Sequence, residues 1–190
     1  MAKSCFVIMP IGAVRSEAGE VRGEDLDKIY SDLIREALLK ARPDLEVTRA
    51  DEIVALGDIT ADIFRRIAES DYVVADVTYP NPNVFYELGL RHATRSGTIL
   101  LRDRAGPRLP FNISVQRHIE YENTPPGLKK LAMDLGKMFD WIEENPGRAD
   151  NPFLMVTEPR FALPRGGQTY QVLQIGEDGK PVWGWVRAHG

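Results

Sequence analysis

A single cysteine in 190 residues removes any intrachain disulfide framework. Three scattered histidines, His92, His118 and His189, show none of the close spacings by which side chains hold a metal. Cys5 lies in an apolar run and reads as a buried strand residue. No stretch of about 18 apolar residues occurs, so no membrane-spanning helix is expected. Lys3 precedes an apolar segment, but Pro10 and Gly12 interrupt it too early for a signal peptide, and a cytoplasmic protein is the expectation. Positive charge is also scarce: 24 Lys and Arg against 28 Asp and Glu give a net charge of −4. Nucleic-acid binding normally needs a basic face, so a dedicated nucleic-acid surface is not expected. The chain has neither a G-x-x-x-x-G-K-[ST] loop nor a G-x-G-x-x-G turn. Ser4, Ser70, Ser96 and Ser114 sit in no nucleophile elbow. Kinase, serine hydrolase and metalloenzyme readings therefore find no support, and no cofactor is expected. Trp141, Trp183 and Trp185 read as packing groups.

What the sequence does contain is an alternation of apolar runs and amphipathic stretches. Cys5-Phe6-Val7-Ile8-Met9, with Pro10 and Gly12 behind it, reads as a strand covered on both faces. Residues 10–24, with Gly12, Gly19 and Gly23 beside Arg15 and Arg22, read as a long mobile loop without a packing face. Leu26, Ile29, Tyr30, Leu33, Ile34, Ala37, Leu38 and Ala41 recur at three- and four-residue steps and predict a helix. Pro43 ends it, and Leu45-Glu46-Val47-Thr48-Arg49 supplies a second strand. Asp58 is expected to cap a helix with Ile59, Ile63 and Ile67 on its inner face. Tyr72-Val73-Val74-Ala75-Asp76 is a third strand, and residues 84–94 form the next helix, with Pro82 suited to its first turn. Thr98-Ile99-Leu100-Leu101 and residues 116–121 supply strands four and five. Leu128, Leu131, Leu135, Met138, Phe139 and Ile142 mark a last helix. Strands alternating with helices imply βαβ units and a parallel sheet covered on both faces, so residues 1–145 are expected to form an α/β domain. From Pro146 the helical periodicity is lost. Apolar runs over 170–175 and 182–186 flank Asp178-Gly179, so residues 146–190 are read as a β-hairpin appendage, an added edge or an assembly surface.

Open α/β sheets bind ligands beyond the carboxyl ends of their strands, at the point where strand order reverses. For the order 2-1-3-4-5 that point lies between the first and third strands, and the loops 10–24 and 77–83 converge on it. Asp76 ends the third strand there. Its carboxylate could bind sugar hydroxyls or share in proton transfer, or it could cap the following turn. Glu87 falls in the first turns of the helix carrying Asn81-Pro82-Asn83-Val84-Phe85-Tyr86-Glu87-Leu88-Gly89. Val84, Leu88 and Gly89 would let that helix pack closely on the sheet. The bland use of Glu87 is a surface pair with Arg91. Backbone N–H groups of the glycine-rich loop with Arg15 or Arg22 could hold a phosphate, or the glycines could only make turns.

The runs Cys5-Phe6-Val7-Ile8-Met9-Pro10-Ile11-Gly12 and Ser70-Asp71-Tyr72-Val73-Val74-Ala75-Asp76-Val77-Thr78, with residues 81–89 and Arg91-His92-Ala93, resemble the nucleoside 2-deoxyribosyltransferase-like family and its bacterial TIR-like relatives. The similarity spans residues 5 to about 121 and does not reach the tail. It implies a flavodoxin-like three-layer sandwich with a five-stranded parallel sheet, and chemistry at an N-glycosidic bond. Glu87 occupies the position of the family's nucleophilic glutamate, which attacks the anomeric carbon. Asp76 matches an acidic position that orients sugar hydroxyls or assists the leaving base. Met9, Pro10, Ile11, Gly12, Arg15, Arg22, Asn81 and Asn83 would line the substrate. The resemblance further implies a nucleotide, nucleoside or NAD as ligand and a homo-oligomer. TIR-like relatives in bacterial signalling and antiviral defence either cleave NAD or bind a nucleotide signal. Two features depart from the transferases: Asn81 stands where they often carry an acid, and Met9-Pro10-Ile11-Gly12 replaces a Tyr-containing motif with an Ala-Gly-Pro turn. Three readings follow: an N-glycosidase with Glu87 as nucleophile, a non-catalytic nucleotide sensor or assembly module, and a purely structural interaction domain.

Overall fold

The computed structural model describes residues 2–16, 19–53, 59–157, 169–175 and 181–187. Five short strands, apolar almost throughout, pair side by side and in parallel: β1 (Ser4–Ile8), β4 (Glu46–Arg49), β5 (Tyr72–Asp76), β6 (Thr98–Asp103) and β7 (Ile119–Tyr121). Their order is β4-β1-β5-β6-β7, the 2-1-3-4-5 arrangement of a flavodoxin-like sheet. Registers such as Val7↔Val74 and Val74↔Ile99 align the apolar centres of the strands. Successive side chains point to opposite faces, and the core divides accordingly. Cys5, Val7, Tyr72, Val74, Ile99 and Leu101 face one cluster, whereas Phe6, Ile8, Val73, Ala75 and Leu100 face the other. Burial pushes the Cys5 thiol up to about 12, so it stays a protonated packing group.

Helices close both faces. The first cluster is covered by residues 23–41 and by α6 (Pro125–Glu144), through Leu26, Leu33, Leu38, Leu131, Leu135 and Phe139. The second is covered by α3 (Ile59–Glu69) and α4 (Pro82–Thr94), through Ile67, Val84 and Leu88. The 23–41 segment runs α1 (Gly23–Lys28), a π-helical stretch (Ile29–Arg35) and α2 (Glu36–Ala41). Its spacing explains the wider winding. Leu26, Tyr30, Ile34 and Leu38 are all buried at strict four-residue steps. On an α-helix such a column drifts by about 40° per step, and the wider winding of the π-helical stretch, with its i→i+5 bonds, turns back against part of that drift.

Several expectations are corrected. Residues 10–24 do not form one long loop: β2 (Val14–Ser16) and β3 (Gly19–Val21) pair as an antiparallel ladder, and Val14 is buried in the core. Ile59 is 54% exposed, so the inner face of α3 is made by Ile63, Phe64 and Ile67; the expected Asp58 cap lies outside the described residues. The fifth strand starts at Ile119, behind a short helix α5 (Phe111–Ser114). Gly89 is exposed and a Cβ there would meet open space, so close packing of α4 rests on Val84 and Leu88. Residues after 145 add another helix, α7 (Pro152–Val156), which contacts α4. Beside it, the Asp150 carboxylate accepts the N–H groups of Gly97 at 2.6 Å and Thr98 at 2.8 Å. The expected hairpin strands are present as β8 (Thr169–Ile175) and β9 (Pro181–Arg187), paired antiparallel from Thr169↔Arg187 to Ile175↔Pro181; their Asp178-Gly179 turn lies outside the described residues. Among those residues no helix is long and apolar enough to cross a membrane.

Arg91 is the largest departure from the sequence reading. It makes no surface pair with Glu87 and is fully buried. Its Nη1 donates to the carbonyls of Ile67 (2.8 Å) and Ser70 (2.9 Å), and its Nη2 to those of Ser96 (2.6 Å), Asp71 and Gly97 (both 3.4 Å). The guanidinium therefore sits where α3 ends, β5 begins and the turn into β6 passes. Burial lowers its pKa to about 9, which leaves it charged at neutral pH. Removing it strands several buried carbonyls, so Arg91→Met is expected to cost roughly 3–5 kcal/mol in urea unfolding. Arg91→Lys should recover only part of that, because an ammonium cannot reproduce the planar fork.

Candidate active site

The strand order places the reversal between β1 and β5, and the loops leaving these strands, residues 9–13 and 77–81, flank it. α4 begins directly after the second loop and packs on both strands. Its start is fixed locally. Asn81 takes the N-cap, its side-chain oxygen accepting the N–H groups of Asn83 (2.9 Å) and Val84 (3.3 Å), and Pro82 follows in the first turn. Capping fits Asn well, since its oxygen replaces a missing helical acceptor. Asn81 is thus committed to structure, while Asn83 is exposed beside it.

Glu87 lies on this helix between the buried Val84 and Arg91. It is partly buried, and among the described residues its carboxylate forms no hydrogen bond or ion pair. Burial alone raises its pKa above the usual carboxylate range. An ionised carboxylate in this position loses hydration without gaining a partner.

Asp76 is of another kind. It is 1% exposed, and both oxygens are occupied. Oδ1 accepts the Thr78 N–H at 2.9 Å and the Thr78 hydroxyl; Oδ2 accepts the Tyr121 hydroxyl at 2.8 Å. Desolvation raises its pKa against the pull of these donors. The Thr78 hydroxyl also accepts the Asp103 N–H at 2.8 Å, so the network ties together the carboxyl ends of β5, β6 and β7. Of the two roles that the sequence allowed for Asp76, the structure shows the turn cap: the carboxylate is buried and holds the turn after β5. Thr78 and Tyr121 were missed as its partners. The signal was available, because Asp-x-Thr is a turn-forming pattern and Tyr121 ends the neighbouring fifth strand.

The remaining expected ligands separate by exposure. Met9 and Pro10 are buried, and the Met9 sulfur accepts from Arg49 Nη1 at 3.7 Å. Arg49 itself is buried, paired with Asp27 at 2.8 Å and with Asp51, and lies over the Tyr30 ring at 4.3 Å. Ile11 is 51% exposed. Gly12 has φ +79, and a Cβ on Gly23 would stand 3.0 Å from the Gly12 Cα, so these two glycines bring the ends of the β2–β3 ladder together. Arg22 is held by Asp25 through two 3.0 Å bonds, and this pairing holds the Asp25 carboxyl below its usual range. Arg15 is exposed on β2 and among the described residues has no such partner.

No family model matches the chain, and no curated protein matches it. Among solved structures it is similar to the flavodoxin-like domain of a Synechococcus sp. protein, at 11% identity and a TM-score of 0.43, over 74% of this chain and 98% of that domain. At that distance the likeness carries no functional argument.

Tyr121→Phe removes one of the three donors to Asp76 and is expected to lower stability by about 1–3 kcal/mol. A carboxyl whose pKa is raised by folding binds more protons folded than unfolded, so its contribution falls as pH climbs from the ordinary Asp range through the raised native value. Losing a donor raises the native value further, so the deficit of the variant should be larger near about pH 7 than near about pH 4. Urea unfolding at the two pH values measures this; an equal deficit at both would place the hydroxyl's contribution in packing.

Proposed function

We propose that this protein cleaves the N-glycosidic bond of a nucleotide, nucleoside or NAD, with Glu87 attacking the anomeric carbon. One observation carries the reading: Glu87 is a half-buried carboxylate with a raised pKa and no described hydrogen-bond or ion-pair partner, on the helix beside the switch point. Other acidic groups of the chain are held below their usual range by partners, as Asp51, Asp134 and Glu143 are. A desolvated carboxylate under the sugar stabilises an oxocarbenium-like transition state and then bonds to it. The Glu87 oxygen forms a bond to the anomeric carbon, and the carbon–nitrogen electron pair leaves with the base. Water next adds to the same carbon, the ester bond breaks, and the carboxylate is restored with a proton released.

The enclosure of Asp76 bears on the substrate. With that acid shut away, the leaving base must need no protonation, or must take its proton from solvent. Nicotinamide leaves NAD from a cationic pyridinium as a neutral base, so NAD is the substrate that asks least of this site. The same enclosure favours, as the second reading, a non-catalytic nucleotide-binding module with a single carboxylate in its pocket.

Chromatography of NAD, deoxynucleosides and nucleoside monophosphates incubated with wild type and Glu87→Gln separates these readings. Free base should be released by wild type, fastest from NAD, and about a thousandfold or more slowly by the variant. Because the nucleophile must be ionised, the rate should rise with pH through a midpoint above the ordinary glutamate range. No release by either protein, with ligand-dependent melting shifts retained by both, would establish the binding module instead.

A further inference from the structure

The opposite edge of the sheet carries a cavity that this chemistry does not use. It measures about 560 Å³ and is lined by Thr98 and Ile119 at the starts of β6 and β7 and by Met138, Trp141 and Ile142 of α6. Asp76 and the loops of the candidate active site lie at the other ends of the strands. A volume in this range with a mainly apolar lining and a few polar groups is typical of a small-molecule site.

Three features define what it would bind. Arg117, Lys137 and Arg148 line the cavity with one carboxylate, Asp150, in a chain of net charge −4; Lys137 is paired with Asp134 at 3.4 Å, which leaves the two arginines as the main cations of the lining. The Asp150 carboxylate is occupied by the N–H groups of Gly97 and Thr98 and by the Asn151 amide at 2.9 Å. Arg117 is exposed and forms no hydrogen bond or ion pair among the described residues, so the local field is positive and available to an anion. Secondly, Trp141 is 38% exposed, with the Arg148 guanidinium 5.4 Å from its ring centroid; an indole beside a cation suits a flat ring. Thirdly, the buried Thr98 hydroxyl has no hydrogen-bond partner among the described residues. Buried hydroxyls are normally bonded, and this one, on a residue of the cavity wall, is left unsatisfied.

We propose that this cavity binds a small anionic molecule with a planar apolar body, its acid group toward Arg117, Lys137 and Arg148 and its ring against Trp141 and Met138. 1-Anilinonaphthalene-8-sulfonate has that chemistry, and N-phenyl-1-naphthylamine carries the same rings without the sulfonate. In fluorescence and calorimetric titrations the wild type is expected to bind the sulfonate at one site per chain. The Arg117→Glu/Arg148→Glu variant should lose about tenfold or more in affinity for the sulfonate but change little for the uncharged amine. Both arginines are exposed, so its melting profile should match wild type. Met138→Trp, which fills the apolar side of the cavity, should weaken both probes. Absence of one-site binding by wild type, or a charge variant that treats the two probes alike, would overturn the proposal.

Discussion

The architecture hangs on one buried cation. Arg91 brings a guanidinium into the interior and bonds it to main-chain carbonyls from three places: the end of α3, the entry to β5 and the turn into β6. The end of a helix presents unpaired carbonyls and the negative end of its dipole, so it is a natural seat for a cation. The turn is shaped to match. Gly97 has φ +94, and a Cβ there would approach the Asp71 carbonyl to 2.6 Å, so only glycine brings this backbone to the guanidinium. With Arg91 locked in place, the rotation and depth of α4 on the sheet are set. Glu87 stands one turn earlier on the same side of the helix, and its half-buried position follows.

A second constraint sorts the carboxylates. Asp76 and Glu87 both come from the β5–α4 unit and both have raised pKa values caused by burial, yet they are not interchangeable. Asp76 has three hydrogen-bond donors and no exposure; Glu87 has partial exposure and no described partner. The first spends its charge stitching the carboxyl ends of three strands together. The second is desolvated without a described partner, which is what the proposed reading requires of it. This division is why a reading with one nucleophile and an undemanding leaving group fits the site better than a pair of cooperating acids.

Much of this was legible in the residues, and the failures share a cause. The five strands and the amphipathic helices follow from apolar runs and three- or four-residue spacing, because burial of one face dictates those patterns directly; the strand order came with the family resemblance, since periodicity does not encode it. The place of Glu87 on the helix after β5 was legible from the Asn81 to Gly89 run. Arg91 was not, since a charged residue four positions from a glutamate on a helix suggests a surface pair, and only tertiary packing reveals a set of carbonyls waiting for it. Asp76 was located correctly with the turn cap as one of its two readings, whereas its bond to Tyr121, 45 residues away in sequence, lay beyond any local pattern. The β2–β3 ladder was hidden by glycines that read as loop, and its three-residue strands, with one valine each, are too short to show an alternation. α7 was missed because five residues are too few to show a helical period.

The most direct test of this account is an NMR titration of the Glu87 side-chain carboxyl in the wild-type protein. A midpoint clearly above the ordinary glutamate value of 4.5 is expected, and it marks a desolvated carboxylate held without a partner and available to a ligand. A midpoint at or below that value would mean that a cation or hydrogen-bond donor already holds Glu87, and would contradict its assignment as the reactive group.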